Sequence, residues 1–245
     1  MPFRSAALLA LCAALAAGCA ARVELDPAPP SSDAAREAAA AAIDGTRPLL
    51  SVARLLHDGW RHLPVGGTTD YRIAIVDGAL AVSATGAGGA SGLIRRAEVD
   101  PARCRTLRWT WRVDALQASA DLRTKAGDDV GAAVYVLFGD PGLSGAPAAV
   151  PTLKYVWAGG DLSPGEILPN PYLPDSVMTV AVATRDAPLG RWRREERDLM
   201  ADYEAAFGRP PENWIEAVAF FTDNDQTGQA VTAHYRDIAI RCTTL

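Results

Sequence analysis

Apolar and polar residues alternate along most of the chain after residue 70, which is the pattern of β-strands with one buried face. In the clearest run, polar residues alternate with Leu107, Trp109, Trp111 and Val113. Because alternate side chains of a strand point to opposite faces, these four residues are predicted to line a core. Similar runs predict strands at 71–76, 79–84, 132–138, 153–158, 177–183, 217–222 and 231–241.

Two local signals add a hairpin and a helix to this pattern. Asp77 and Gly78 separate two predicted strands and tolerate the positive φ angles of a type I′ turn, which favours a tight hairpin. Residues 198–207 carry apolar side chains at every fourth position, and Gly208 followed by two prolines is typical of a helix end. Many strands with a single short helix predict an all-β fold, an antiparallel two-sheet β-sandwich of the jelly-roll type. A parallel α/β fold would need crossover helices that the pattern lacks.

The start of the chain resembles the signal of a bacterial lipoprotein. Arg4 precedes an apolar run at 6–17, which is too short to span a bilayer as a helix, and Cys19 follows small residues. The resemblance implies a signal peptide at 1–18 and acylation of Cys19, which would anchor the chain in a membrane. With Ala20 in the next position, it also implies the outer membrane, with the protein facing the periplasm. Plain secretion, with cleavage near Ala20, is the alternative.

A flexible tether is predicted at 19–48. It contains a Pro- and Ser-rich stretch at 26–32 and an alanine-rich stretch at 33–43 that forms no apolar stripe. A single β-sandwich domain is predicted for 49–245, a length that is sufficient for one hydrophobic core.

The charge of the chain indicates which partners it can bind, and its cysteines indicate the compartment in which it folds. The chain has 24 basic and 29 acidic residues, a net charge of -5, and no basic block, so nucleic-acid binding is not expected. Beyond the predicted signal peptide and Cys19, the remaining cysteines are Cys104 and Cys242. An even pair in an oxidising compartment predicts a disulfide bond, with two buried free thiols as the alternative.

Several motifs occur in a fixed order along the predicted domain. They are LRWTWRV at 107–113, RTKAGDD at 123–129, YVWA at 155–158, NPY at 170–172, DY with AFG within 202–208, TDND with TG within 222–228, and YRDI at 235–238. Over roughly 60–240 the chain resembles the domain-of-unknown-function family 3047. This resemblance implies a bacterial envelope-associated domain and supplies no established catalytic residues. The last strand also resembles jelly-roll carbohydrate-binding modules, which is a likeness of fold.

Oxygen-bearing side chains near residue 223 offer a candidate metal site. The three histidines form no zinc motif, so a zinc enzyme is not expected. The loop that begins at Asp223 matches the first half of an EF-hand, but His234 stands where that loop needs a bidentate Glu. The remaining candidate is a structural Ca²⁺ held by Asp223, Asp225 and Asp237, with no other cofactor. The alternative is a polar turn whose side chains satisfy backbone N–H groups.

Paired carboxylates support an enzymatic hypothesis. Asp128 and Asp129 precede a predicted strand, and either of them with Asp223 would supply the two carboxyl groups of a carbohydrate-active hydrolase or lyase if their loops converge. The alternative is a loop held by salt bridges to Arg123 and Lys125.

The aromatic residues favour a binding function. Trp157 and Tyr172 border a proline-rich stretch at 163–174 that is long and predicted to lack regular structure, and such loops often carry function. The favoured hypothesis is a non-enzymatic glycan-binding or scaffolding lipoprotein whose ligand is an envelope polysaccharide. Its predicted contacts are Lys125, Asp128, Asp129, Trp157, Asn170 and Tyr172. A purely structural envelope component is the third hypothesis.

Overall fold

A computed structural model describes residues 45–55, 57–142 and 150–243 of the chain. The predicted signal peptide, the predicted acylation site at Cys19 and the tether as far as residue 44 lie outside the described residues. Within the described part, no helix is long and apolar enough to cross a membrane.

The described residues form an all-β sandwich with one α-helix. The strands are β1 (Gly45–Pro48), β2 (Arg61–Gly66), β3 (Thr69–Val76), β4 (Ala79–Gly86), β5 (Ala90–Val99), β6 (Thr106–Ala115), β7 (Ala132–Phe138), β8 (Thr152–Trp157), β9 (Ile167–Pro169), β10 (Val177–Ala183), β11 (Arg193–Asp198), β12 (Ile215–Asp223) and β13 (Thr232–Cys242). The helix is α1 (Leu199–Phe207), and single 3-10 turns lie at Val52–Arg54 and Lys125–Gly127. All eight predicted strands are present, with ends within two residues of the prediction.

The strands form two packed sheets. One has six strands in the order β11-β6-β13-β4-β3, with β1 also paired to β13, and the other has seven in the order β2-β5-β12-β7-β8-β10-β9. Pairing is antiparallel except between β8 and β10, which run parallel. The predicted antiparallel two-sheet sandwich is confirmed, with this one parallel pair as an exception. The stretch at 163–174 lies between these two strands and contains β9, so it does not lack regular structure.

The folded region includes residues that the sequence assigned to the tether. Strand β1 pairs antiparallel with β13, with Gly45 opposite Cys242 and Pro48 opposite Ala239. This strand carries only four residues and no apolar alternation, so its pairing partner rather than its own pattern determines its structure.

Besides β1, the sequence pattern did not predict β2, β5, β9 and β11. Two of them, β5 and β11, show different reasons for this. In β5, Gly92 interrupts the apolar run, and the ring of Phe221 packs so closely on it that an added Cβ would lie 2.3 Å from a ring carbon. The edge strand β11 is almost entirely charged, and it pairs with β6 through contacts such as that of Glu196 with Arg108, at 2.6 Å. Cross-strand contacts of this kind stabilise a strand without any apolar alternation.

The core between the sheets contains the residues predicted for it. Leu107, Trp109, Trp111 and Val113 are all fully buried. Rings from the two sheets meet there, with the ring centroids of Trp109 and Tyr155 separated by 5.3 Å. The prediction that the alternate apolar residues at 107–113 form the inner face of β6 is therefore confirmed.

The helix begins and ends where the sequence predicted. The carboxylate of Asp198 accepts hydrogen bonds from the N–H groups of Met200 and Ala201, which caps the first turn. Gly208 ends the helix in the left-handed conformation, with φ of 71°. Cys104 and Cys242 form a disulfide bond, the pairing expected from the sequence.

Candidate functional site

The ends of neighbouring strands bring the predicted carboxylates together. Strands β7 and β12 are antiparallel, with Ala133 opposite Phe221, so the loop before β7 lies beside the end of β12. That loop carries Asp128 and Asp129, and β12 ends at Asp223. The three carboxylates are close enough to influence one another electrostatically. The loop convergence that a shared carboxylate site requires is therefore present.

Lys154 lies at the centre of this region, although the sequence analysis did not select it. It is on β8, opposite Tyr135 of β7, and it is only 1% exposed. Its Nζ donates to Asp128 Oδ1 at 2.9 Å, and Asn170 Nδ2 donates to Asp128 Oδ2 at 2.7 Å. Both carboxylate oxygens of Asp128 thus have a partner within the protein. We call Asp128, Lys154, Asn170 and Asp223 the Lys154 cluster.

The electrostatics of the cluster keep Lys154 charged. Burial disfavours its ammonium group, but Tyr135, Asp128 and Asp223 outweigh that effect and raise the pKa of Lys154 above its ordinary value. Its Nζ also lies 5.9 Å from the centroid of the Tyr135 ring. A buried ion pair is stable only when further hydrogen bonds satisfy its remaining atoms, and Asn170 supplies one of these.

Asp223 has a strongly raised pKa. Burial is the largest cause, the nearby Asp128 and Asp129 add to it, and Lys154 and the N–H of Val130 oppose it, which together place the pKa of Asp223 at about 8. Its Oδ1 accepts a hydrogen bond from Val130 N at 2.6 Å. The cluster therefore holds the contact between Lys154 and Asp128 beside Asp223, whose raised pKa keeps it mostly protonated at neutral pH.

Asp129 holds a neighbouring loop in place through hydrogen bonds to its backbone. It is fully buried, and its two oxygens accept hydrogen bonds from Gln226 N at 3.2 Å and Thr227 N at 2.7 Å. These bonds hold the loop between β12 and β13, so Asp129 is unavailable as the ligand contact predicted from the sequence. A buried carboxylate with backbone partners is the arrangement expected of a loop anchor.

The predicted calcium ligands are not brought together. In the described part of the chain, no three His, Cys, Asp or Glu side chains are arranged to hold a metal ion. Asp237 lies in β13, on the other sheet from Asp223, and its carboxylate contacts Arg236. Asp225 accepts a hydrogen bond from Gln226 Nε2 at 2.7 Å. The ligand set of Asp223, Asp225 and Asp237 is therefore wrong, because Asp223 ends β12 in one sheet and Asp237 lies within β13 in the other.

Tyr172 is held firmly although it is exposed. Its backbone N–H donates to Asn170 Oδ1 at 3.0 Å, and its hydroxyl donates to the carbonyl of Lys125 at 3.0 Å. The Lys125 ammonium lies 5.2 Å from the ring centroid. The residue is nevertheless 48% exposed. The Lys154 cluster thus connects, through Asn170, to a fixed aromatic ring at the protein surface.

Trp157 is not part of this surface. It is fully buried and packs on Trp111, with ring centroids 5.9 Å apart. Trp157 and Tyr155 alternate with Lys154 along β8, so they point into the core while Lys154 points to the outer face. The prediction of Trp157 as a ligand contact is wrong because the sequence analysis placed it by its nearness to a loop and did not assign its face.

The alternation that explains Trp157 also contained the signal for Lys154. A single lysine within the apolar run Thr152–Trp157 marks the position where the strand turns a charge away from the core. The sequence could have identified Lys154 as unusual on this ground, since a lysine is almost never fully buried without a partner. It could not have identified Asp128 as that partner.

A comparison with protein-family models identifies the family of this chain. The family model described as "Protein of unknown function (DUF3047)" matches residues 58–239. No curated protein matches the chain.

Three solved structures illustrate the fold likeness. The CBM22-1 xylan-binding domain of Paenibacillus barcinonensis Xyn10C is 13% identical, with a TM-score of 0.44 and coverage of 83% of this chain and 99% of that chain. A family 11 carbohydrate-binding module from Clostridium thermocellum is 10% identical, with a TM-score of 0.42 and coverage of 82% and 98%. Endoglucanase cel12A from Rhodothermus marinus is 14% identical, with a TM-score of 0.41 and coverage of 76% and 92%. These likenesses assign no ligand and no activity to this chain.

Proposed function

Because the chain belongs to the DUF3047 family, whose description assigns no function, we propose a function from the site itself: a non-catalytic glycan-binding β-sandwich that contacts its ligand at Tyr172. One observation carries this proposal. The large hydrophobic side chains that are exposed in the described part of the chain are Val65, Ile73, Ile75, Leu80, Tyr172 and Leu189. Tyr172 is the only aromatic residue among them, and it is held at its backbone and at its hydroxyl.

The chemistry around Tyr172 suits a sugar. A tyrosine ring offers an apolar face to the C–H groups of a pyranose, and its fixed position lowers the entropy lost on binding. The exposed ammonium of Lys125 adds a donor for sugar hydroxyls next to that face. Asp128 and Asn170 act behind the surface in this proposal, since their polar atoms are already paired within the protein.

Binding of the purified full chain to an array of envelope and plant polysaccharides tests the proposal. We expect Tyr172→Ala to weaken binding at least about tenfold, as removal of a central aromatic contact commonly does. Tyr172→Phe keeps the ring and loses the bond to Lys125, so its loss should be smaller. Leu189→Ala removes an exposed apolar side chain elsewhere and should leave binding unchanged. A wild-type chain that binds no glycan would favour the purely structural hypothesis.

A second candidate, a carbohydrate-active hydrolase, has one observation in its favour. Asp223, with its pKa raised to about 8, lies near a second carboxyl group, Asp128, and cleavage of a glycosidic bond requires two carboxyl groups of which one has a raised pKa. Two features oppose it: Asp128 has both oxygens occupied, and both carboxylates are buried. These features favour the binding proposal over the enzymatic one.

The two candidates predict different results in a hydrolysis assay. An enzyme would release reducing ends from a bound glycan, and Asp223→Asn would abolish the release while leaving binding intact. The binding proposal expects no release from any glycan retained by the wild-type protein. Release that survives Asp223→Asn would have to be attributed to another group or a contaminant.

We also propose that the protein is exported and anchored in the cell envelope through acylated Cys19, where an envelope polysaccharide would be its ligand. The disulfide between Cys104 and Cys242 supports export, since such bonds form and persist mainly outside the cytosol. Labelling of cells with a radioactive fatty acid tests the anchor. Wild-type protein should incorporate label and fractionate with the outer membrane, and Cys19→Ser should do neither. Label retained by the Cys19→Ser protein would contradict the proposal.

A further inference from the structure

A recess of about 470 Å³ lies on the outer face of the six-stranded sheet, on the opposite sheet from Tyr172. Its walls are formed by Thr46, Arg108, Thr110, Trp192, Arg194, Arg236, Asp237 and Ala239. The floor crosses β11, β6 and β13. Because Trp109 and Trp111 of β6 point into the core, their neighbours in the strand necessarily point outward into this face.

Two arginines in the recess lie across the sheet from each other. The strand register places Arg194 opposite Thr110 and Thr110 opposite Arg236, so the three residues form one row over adjacent strands. With neighbouring strands about 4.8 Å apart, the two arginine backbones are separated by about 10 Å. No carboxylate stands in this row.

The neighbouring rows differ because their arginines are neutralised. Arg108 donates to Glu196 at 2.6 Å, and Arg112 is paired with both Asp114 and Asp77. Arg194 forms no ion pair with any residue of the described chain and is exposed. Arg194 therefore adds a positive charge to the recess next to two ion pairs, Arg108 with Glu196 and Arg236 with Asp237.

The guanidinium of Arg236 has a fixed direction in the recess. It is held over the Trp192 ring, 4.9 Å from the ring centroid. Its Nε lies 3.0 Å from the Asp237 carboxylate, and the enclosed Nε1 of Trp192 has no hydrogen-bond partner. The donors that a ligand in the recess can reach are therefore the guanidinium N–H groups of the exposed Arg194 and of the partly exposed Arg236.

A distortion of the β13 backbone lies beside the recess. The pairing of β13 with β6 shifts between Arg236 and Ala239, which marks a β-bulge, and Asp237 adopts a left-handed φ of 55°. Bulges redirect side chains and are enriched beside functional sites. Beyond the bulge, Arg108 faces Ala239, whose small side chain leaves room above the sheet.

We propose that this recess binds the anionic group of an acidic glycan, a carboxylate or a sulfate ester, between Arg194 and Arg236. Guanidinium groups bind such planar or tetrahedral oxyanions through charge-assisted hydrogen bonds. An anionic membrane surface fits less well, because none of the exposed large apolar side chains lines the recess and the chain carries a net charge of -5. The proposal does not depend on the Tyr172 site.

Binding of the purified full chain to polygalacturonate, dextran sulfate and uncharged dextran tests this proposal by calorimetry at low and high salt. We expect binding to at least one of the two charged polymers, none to dextran, and weaker binding at high salt. Arg194→Gln and Arg236→Gln should each weaken that binding about tenfold, the loss typical of one charge-assisted contact. Arg194 is exposed, so its substitution should not prevent folding.

Two matched controls distinguish this site from general charge effects and from the first proposal. Arg241→Gln removes one positive charge from β13, the strand of Arg236, but outside the recess. It should change the affinity for the charged polymers less than about twofold. Tyr172→Ala should leave polyanion binding intact. The proposal is overturned if the wild-type chain binds neither charged polymer, if Arg241→Gln weakens binding as much as Arg194→Gln, or if phosphatidylglycerol vesicles bind and the charged glycans do not.

Discussion

The outer faces of the two sheets both carry charge, but they treat it in opposite ways. On the seven-stranded sheet, Lys154 and Asp128 are buried together, and Asn170 occupies the remaining carboxylate oxygen. On the six-stranded sheet, Arg194 remains exposed and without a counter-ion in the described chain, at the edge of an open recess.

This difference indicates which charged groups on each face are free to bind a ligand. A charge removed from water must be paired inside the protein, so the buried cluster uses its polar atoms to hold loops and to fix Tyr172. A charge left in water costs little when unpaired, so Arg194 remains available for a partner beside the partly exposed pair of Arg236 with Asp237. The cluster therefore positions a ring, whereas the recess offers its own charges.

The largest expected effect is that of Lys154→Met, which leaves Asp128 buried without its cation. We expect the free energy of unfolding to fall by about 3–5 kcal/mol, measured by urea denaturation. The double variant Lys154→Met with Asp128→Leu should recover much of this loss, since an apolar pair replaces the ion pair. Arg209→Gln, which breaks an exposed pair with Glu212, should have little measurable effect. Equal effects of Lys154→Met and Arg209→Gln would contradict the comparison.

Asp223 should make stability depend on pH. Its pKa is about 8 in the folded protein and near its ordinary value of 3.8 in the unfolded chain, so the folded state binds the extra proton. The resulting stabilisation is complete below pH 4 and is lost as pH rises through 8, on the order of a few kcal/mol in all. Asp223→Asn should remove this slope.

The pH effect is read as the difference between wild type and Asp223→Asn in denaturation midpoints at pH 5 and pH 8.5. His62, whose pKa is lowered by burial, contributes a slope of opposite sign. That contribution is common to both proteins and cancels in the difference. Parallel curves for the two proteins would show that Asp223 is ionised in the folded state.

Asn170→Ala should lower the free energy of unfolding moderately, and it should loosen the backbone around Tyr172 more strongly. It removes the donor to Asp128 and the acceptor for the N–H groups of Tyr172 and Leu173. We expect a loss of about 1–2 kcal/mol, together with faster proteolysis near Tyr172. Unchanged proteolysis would mean that the ring is held without Asn170.

Arg194→Gln should have the smallest effect on stability of the four. Because the side chain is exposed and unpaired, the free energy of unfolding should change by less than about 0.5 kcal/mol. A larger loss would indicate that Arg194 stabilises the sheet, and it would weaken the assignment of the recess to a ligand.

The sequence identified Asp128, Asp129 and Asp223 as candidates and made their role conditional on converging loops. The antiparallel pairing of β7 and β12 supplies that convergence. The sequence did not identify Lys154, and it misassigned Trp157, because one position in register separates a buried ring from an outward charge. It also could not foresee the recess, which requires Arg194, Thr110 and Arg236 from three strands far apart in the chain.

The sequence by itself determined the class of fold, the strands with strong alternation, the capped helix and the cysteine pair, since these follow from local patterns and counting. The parallel pairing of β8 with β10, the strands β1, β2, β5, β9 and β11, and the partner of each buried charge became known only from the tertiary structure. The physical reason is that strand pairing and ion pairing are contacts between distant segments. Local periodicity fixes which face a side chain takes, but not which residue it meets there.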